Sequence, residues 1–165
     1  MANEQFSIGG QLHLLAFCAI TITPTEGANA QKPYVVRRRT GFDVKDDAGS
    51  VYLRGPDGAP MGTGVGESGG TWKIDTEFEE ARRIQAHIGG GTGAGYRFVH
   101  FEITFTHAAP NRTKITDVSK GCLLLEDGTT GKAGDNTTIS IGGPLRKHFP
   151  NGIDPMDVGA SLGAI

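Results

Sequence analysis

The sequence predicts a mainly β fold, a β-sandwich or barrel with one flanking α-helix. Three observations carry this. Within a strand expected over residues 98–106, residues 99–106 alternate strictly: Val99, Phe101, Ile103 and Phe105 are apolar, and His100, Glu102, Thr104 and Thr106 are polar. A period of two marks a strand with one buried face. Several further short apolar runs lie between glycine-bearing turns, and only one segment has helical periodicity.

Six further strands follow from the same reading. Trp72 and Ile74 alternate with Lys73 and Asp75. Val51 and Leu53 flank Tyr52 and run into Gly55-Pro56-Asp57-Gly58, a turn sequence. Residues 34–39 form another candidate. Residues 115–125 form the next, with a bulge expected near Gly121. Ile139 and Ile141 mark one more. Residues 12–23 are apolar and then β-branched, which predicts one strand buried on both faces.

The helix is expected to follow Thr76. Thr76 and Glu79 have capping-box spacing. Phe78, Ala81, Ile84, Gln85 and Ile88 recur every three or four residues as one apolar stripe. Glu77, Glu79 and Glu80 precede Arg82, Arg83 and His87, an order that suits the helix dipole. Gly89 is the expected stop. Residues 25–32, 40–50, 58–70 and 89–95 read as loops, with 40–50 an exposed excursion. Residues 151–165 read as an irregular tail. A single domain spanning 1–165 is the expectation.

Glycine is the compositional anomaly: 26 of 165 residues, against an average of roughly 7%. It has no G-X-Y period, which excludes collagen. The formal charge of −2 at pH 7 gives no basic excess of the kind a dedicated nucleic-acid binder carries. The longest apolar run, residues 12–22, is too short to span a bilayer and lacks a signal-peptide pattern. Cys18 and Cys122 sit in apolar runs and read as small buried residues, compatible with a reducing compartment.

No catalytic or ligand-binding motif emerges. Gly62-Thr63-Gly64-Val65-Gly66-Glu67 lacks the Gly-Lys-Ser/Thr ending of a phosphate loop and leads into a strand. Gly89-Gly90-Gly91-Thr92-Gly93-Ala94-Gly95 resembles the nucleotide loop of tubulin-like GTPases, but a helix precedes it and a strand follows. His100 and His107 differ in strand parity, and His13, His87 and His148 are isolated. No cofactor and no metal is expected, and no enzymatic activity. Arg37, Arg38 and Arg39 admit two readings. They are a charged edge or an ion-pairing surface for Asp43, Asp46 and Asp47 of a neighbouring copy.

In order, several segments resemble the major tail-tube protein of tailed bacteriophages and related contractile injection machines. They are residues 55–64 after the strand around Val51, residues 69–75 around Trp72, the short helix, and Gly95-Tyr96-Arg97-Phe98 before the long alternating strand. Lys120-Gly121-Cys122, Ala133-Gly134-Asp135-Asn136 and Asn151-Gly152-Ile153 complete the series. The resemblance spans residues 5–153 and lies in the order of elements. It implies a β-sandwich flanked by a helix, six copies per ring with a continuous inner β-barrel, and rings stacked into a tube for DNA passage. It implies a tape-measure protein, sheath, baseplate and terminator proteins as partners, and a virion tail made in bacterial cytoplasm. The tube of a bacterial injection or secretion system, another virion ring protein such as a tail terminator, and a ligand-binding β-barrel are the alternatives. On the tube reading, Lys73, Asp75, Glu77, His100, Glu102 and Thr104 are the expected channel-facing residues. Arg37–Arg39 with Asp43, Asp46 and Asp47 are the expected contacts between subunits, and residues 40–50 the expected contact between rings.

Overall fold

The computed structural model describes the backbone at residues 5–8, 11–14, 18–54, 56, 60–91, 95–108, 114–130 and 137–152. It describes side chains at 18–46, 56, 69–91, 95–108, 114–128 and 137–151. The strands are β1 (Gln5–Ile8), β2 (Gln11–Leu14), β3 (Cys18–Pro24), β4 (Tyr34–Val35), β5 (Arg39–Arg54) and β6 (Pro60–Glu77). Helix α1 (Phe78–Ile88) follows. Then come β7 (Phe101–His107), β8 (Ile115–Cys122), β9 (Glu126–Thr130), β10 (Thr138–Leu145) and β11 (Lys147–Phe149). A four-stranded sheet has the order β5-β6-β10-β9 and a five-stranded sheet the order β11-β8-β7-β3-β4, while β1 pairs with β2. Every pairing is antiparallel.

The predicted class holds: among the described residues, two larger antiparallel sheets and one α-helix enclose one apolar layer. Alternate residues of each sheet point inward. Ile20 and Ile22 of β3 and Phe101 and Ile103 of β7 meet Trp72 and Ile74 of β6 and Ile139 and Ile141 of β10. All eight are essentially inaccessible. Each such side chain contributes about 1.5–3 kcal/mol through removal from water. Ala81, Ile84 and Ile88 bring α1 onto the same layer.

The strand predictions around Trp72, Ile103, Ile115 and Ile139 hold. The bulge near Gly121 is present as well. Phe101 pairs with Cys122 but Ile103 with Ser119, so β8 carries one extra residue there, and Gly121 has φ +66°. The alternating strand starts at Phe101 rather than residue 98, because Tyr96–Phe98 forms a 3₁₀ turn.

Several expectations are corrected. Residues 12–23 are not one strand: β2 ends at Leu14 and β3 starts at Cys18. Nor is β3 buried on both faces, since Ala19 is exposed between buried Cys18 and Ile20. Residues 34–39 hold only the two-residue β4 and the first residue of β5. Residues 40–50 are not a loop but the outgoing arm of a long hairpin, and residues 60–70 are its returning arm. Of the predicted turn between them, only Pro56 is among the described residues, and it lies in a turn. The glycines of the returning arm keep strand parity: Gly62 is opposite Leu53 and Gly64 opposite Val51.

The helix has its predicted span and Gly89 as its C-cap, whose N–H donates to Gln85 O at 2.9 Å. The capping box is absent. Thr76 belongs to β6, Glu77 is the N-cap without a side-chain cap bond, and the Thr76 hydroxyl donates to Arg38 O instead. Phe78 leaves the stripe and is 43% exposed, with the Arg82 guanidinium over its ring. Its inward place is taken by Glu80, which is fully buried.

Candidate assembly surface

Strand register fixes which side chains share the outer face of the four-stranded sheet. Asp75 of β6 is opposite Gly41 of β5 and Ser140 of β10, which is opposite Gly128 of β9. One step along, Lys73 is opposite Asp43 and Gly142, and Gly142 is opposite Glu126. Thr71 is opposite Lys45 and Pro144, and Glu77 opposite Thr138. Opposed residues of an antiparallel pair point to the same side. Among the described residues this face therefore holds small or polar side chains and one proline, with no large apolar group.

Its charges are mixed and locally matched. Lys73 Nζ lies 3.5 Å from Asp75, and Lys45 Nζ lies 4.0 Å from Asp43. The Ser140 hydroxyl donates to Asp75. Asp43, Asp75, Glu77 and Glu126 stand against Lys45, Lys73 and the Arg38 guanidinium that pairs with Glu77, leaving a small acidic excess.

The two proposed channel strands do not share this face. Lys73, Asp75 and Glu77 lie on it. Glu102 and Thr104 lie on the outer face of the five-stranded sheet, opposite Thr23 and Thr21, with the apolar layer between the two sets. His100 precedes β7, and its ring Nδ1 is 2.8 Å from Glu26 Oε1. The His100 N–H also donates to that oxygen at 2.8 Å. These bonds, the backbone one first, hold the Glu26 carboxyl below the usual carboxylate range.

The arginine run sits where the chain crosses between sheets. The Arg37 N–H donates to Glu80 Oε1 at 2.8 Å. Arg38 pairs with Glu77 at 2.9 Å and, more loosely, with Glu79 at 3.9 Å. The Arg39 guanidinium donates to Val36 O at 3.1 Å. Asp43 lies on the polar face. Asp46 has the opposite parity, opposite Gly70 beyond the apolar layer. The side chain of Asp47 lies outside the described residues.

Two features of this sheet go beyond the sequence expectations. Its edge β5 is 16 residues long and its other edge, β9, has five. The edges of the five-stranded sheet, β4 and β11, have only two and three residues. A long edge strand presents a row of backbone donors and acceptors that can pair with another chain. Second, β10 ends at Leu145, opposite Gly70, but β5 and β6 go on pairing from Asp47↔Gly69 to Arg54↔Pro60. That ribbon runs roughly 30 Å past the sheet at strand rise. The sequence signal was available: Met61, Thr63 and Val65 alternate with glycines, a period of two hidden by composition.

Among the described residues no group of three or more His, Cys, Asp or Glu side chains could hold a metal ion. Burial pushes the Cys122 thiol up to about 12, away from nucleophilic character. Among the described residues no helix is long and apolar enough to cross a membrane.

Comparison with solved structures places this architecture. The chain superposes on a chain of the anti-feeding prophage (AFP) baseplate, solved by cryo-electron microscopy with six-fold symmetrisation. The TM-score is 0.52 at 11% identity, over 86% of this chain and 93% of that one. At that identity the likeness is one of fold. Two weaker likenesses are a chain of the PVC sheath-tube complex of an extracellular contractile injection system and the Hcp protein. Their TM-scores are 0.48 and 0.38, with identities of 8% and 7%. The first spans 78% of this chain and 85% of that one, the second 79% and 89%. No protein-family model and no curated protein matches the sequence.

Proposed function

We propose that this chain is a ring-forming subunit of the tube or baseplate of a contractile injection machine. Copies join side by side, the β5 edge of one pairing with the β9 edge of the next. A heterologous contact of this kind closes into a ring when its rotation is right, and closure removes both free edges. The observation that carries the reading is, among the described residues, a sheet whose long edge strand β5 pairs on one side alone and whose outer face holds no large apolar side chain. Such a face suits the lining of a water-filled channel. The fold shared with a chain of the AFP baseplate supports a machine of this kind and six copies per ring.

Within this reading Lys73, Asp75, Glu77, Asp43 and Glu126 line the channel, and Glu102 and Thr104 face outward. The acidic excess repels phosphodiester or acidic cargo and keeps it from adhering during passage. The ribbon beyond Gly70, rather than residues 40–50, contacts the next ring. A phage tail tube passing DNA, with tape-measure protein inside and sheath outside, is the same assembly with a different cargo, and rests on the sequence resemblance.

Negative-stain microscopy of the purified chain tests this. Rings or filaments of one width are expected. Excising residues 51–64 and closing the ribbon with Asn-Gly should keep the fold and the rings but abolish long filaments. A chain that stays monomeric by sedimentation at high concentration, with no rings on the grid, overturns the proposal.

A further inference from the structure

The four-stranded sheet carries the register in which two copies join. Its strands alternate in direction across β5-β6-β10-β9, so its two edges run antiparallel to each other. Copies related by rotation about a ring axis keep their direction, and a β9–β5 joint between them is antiparallel as well. Side-chain parity allows only even shifts at that joint, because an odd shift would turn the outer face of one copy into the inner face of the next. From one strand to the next, a row of opposed residues alternates between hydrogen-bonded and non-hydrogen-bonded pairs. Four strands let that alternation continue through the joint.

Charge selects among the even registers. The outward positions of β5 include Gly41, Asp43, Lys45 and Asp47, so Lys45 is a cation between two acidic positions. Asp43 and Glu126 lie in one row of the sheet, through Lys73 and Gly142. A joint without stagger would set these two carboxylates against each other, and like charges directly opposed destabilise a sheet. It would also carry the end of β9 into the register shift between Arg39 and Gly41. A barrel of tilted strands needs stagger in any case. Shifting by two residues sets Lys45 against Glu126 and lays Glu126–Thr130 along residues 41–45, clear of that irregularity. Two residues further, Asp47 would oppose Glu126. Two residues the other way, β9 would run past Arg39, the first residue of β5.

The inner side agrees. The same shift sets Phe42 level with Thr129, close to Phe78 of α1. The Phe78 N–H donates to Thr137 O at 3.3 Å, beside the Thr138↔Thr130 pair. The Arg82 guanidinium links the Phe78 ring to Asp127 of β9. Phe42 is partly buried and Phe78 exposed, so each leaves apolar surface for the other to cover. We infer that neighbouring copies join with Lys45 of one directly opposite Glu126 of the next, and with Phe42 against Phe78. Lys45 keeps its 4.0 Å contact with Asp43, since an ammonium has three donors. The inference rests on the ring-forming reading above and adds to it the register and the contact residues.

The test uses the full chain with introduced cysteine pairs. Directly opposed residues of an antiparallel pair have Cα atoms about 4.5–5.5 Å apart, within the span of a disulfide. After mild oxidation, Lys45→Cys with Glu126→Cys in one chain should give a ladder of covalent multimers on a non-reducing gel. Asp43→Cys with Glu126→Cys should give a much weaker ladder. Neither single variant should exceed a dimer, because Cys18 and Cys122 are buried. Charge exchange gives a second readout without cysteine. Glu126→Lys or Lys45→Glu alone should raise the concentration at which rings dissociate about tenfold, with the thermal midpoint of the dissociated chain unchanged. The double exchange should restore the wild-type concentration. A stronger ladder from Asp43→Cys with Glu126→Cys, or a double exchange no better than the single ones, overturns this joint, while wild-type rings on the grid leave the ring-forming reading standing. A wild type without rings overturns that reading and the joint with it.

Discussion

The indole of Trp72 meets the ring of Phe101 edge-on, centroids 5.4 Å apart and planes at 81°. One residue comes from each sheet, so this pair joins the two halves of the sandwich. Edge-to-face pairs add about 0.5–1.5 kcal/mol beyond their burial. The Trp72 Nε1–H also donates to Leu123 O at 3.2 Å. Phe101→Ala should therefore cost about 3–5 kcal/mol, read by urea unfolding. Trp72 is the only tryptophan, so its fluorescence follows the transition directly. A loss below about 1 kcal/mol would mean that the pair does not hold the sheets together.

Two glycines separate steric need from strand membership. A Cβ at Gly143 would collide with the Leu123 carbonyl, whereas at Gly69 the nearest atom outside its neighbours is 4.0 Å away. Neither is among the positive-φ glycines, so backbone strain does not confuse the comparison. Gly143→Ala should destabilise by about 2 kcal/mol or more through overpacking. Gly69→Ala should be neutral within about 0.5 kcal/mol. Thermal melts of the two variants suffice, and equal losses would refute the backbone approach at Gly143.

Parity explains what was legible in the sequence. Wherever one face is buried and the other wet, as in Phe101 to Phe105 or Trp72 to Asp75, a period of two appears and the strand can be read. In the sequence the returning arm of the ribbon reads as a loop because Gly62, Gly64 and Gly66 look like turn residues, although they occupy alternate strand positions. Strands β9 and β11 are five and three residues long, too short for alternation to stand out. The capping box failed because Thr76 completes the β6 ladder and gives its hydroxyl to Arg38 O, a contact made 38 residues away in sequence. The polar face was half legible. Lys73 and Asp75 could be read as outward, but no sequence pattern tells on which sheet Glu102 lies.

The cysteines supply a chemical prediction. Cys122 is fully buried, and desolvation raises its thiol to about 12. A raised folded value means stability is intact below the unfolded value near 9 and is lost as pH rises from there towards 12. Native protein at pH 8 should resist iodoacetamide at Cys122 and react fully in urea. Peptide mass spectrometry reads both states, and rapid native labelling at Cys122 would contradict the burial.

Glu80 makes the most informative deletion. Its carboxylate is fully buried on the inward side of α1. Oε1 accepts from the Tyr34 hydroxyl at 3.0 Å and from the Arg37 N–H at 2.8 Å. Oε2 lies 3.9 Å from the Arg83 guanidinium. One side chain thus ties the helix to the segment that carries the chain from β4 into the long edge strand β5. Glu80→Ala removes the acceptor of both bonds and opens a cavity, so a loss of about 3–5 kcal/mol is expected. Tyr34→Phe removes one donor and should cost about 1 kcal/mol. In the double variant the Tyr34 term should vanish, because its acceptor is already gone. A double-mutant cycle by urea unfolding measures this coupling. Strict additivity would mean that the Tyr34 hydroxyl is satisfied elsewhere and that Glu80 holds the crossover through Arg37 alone.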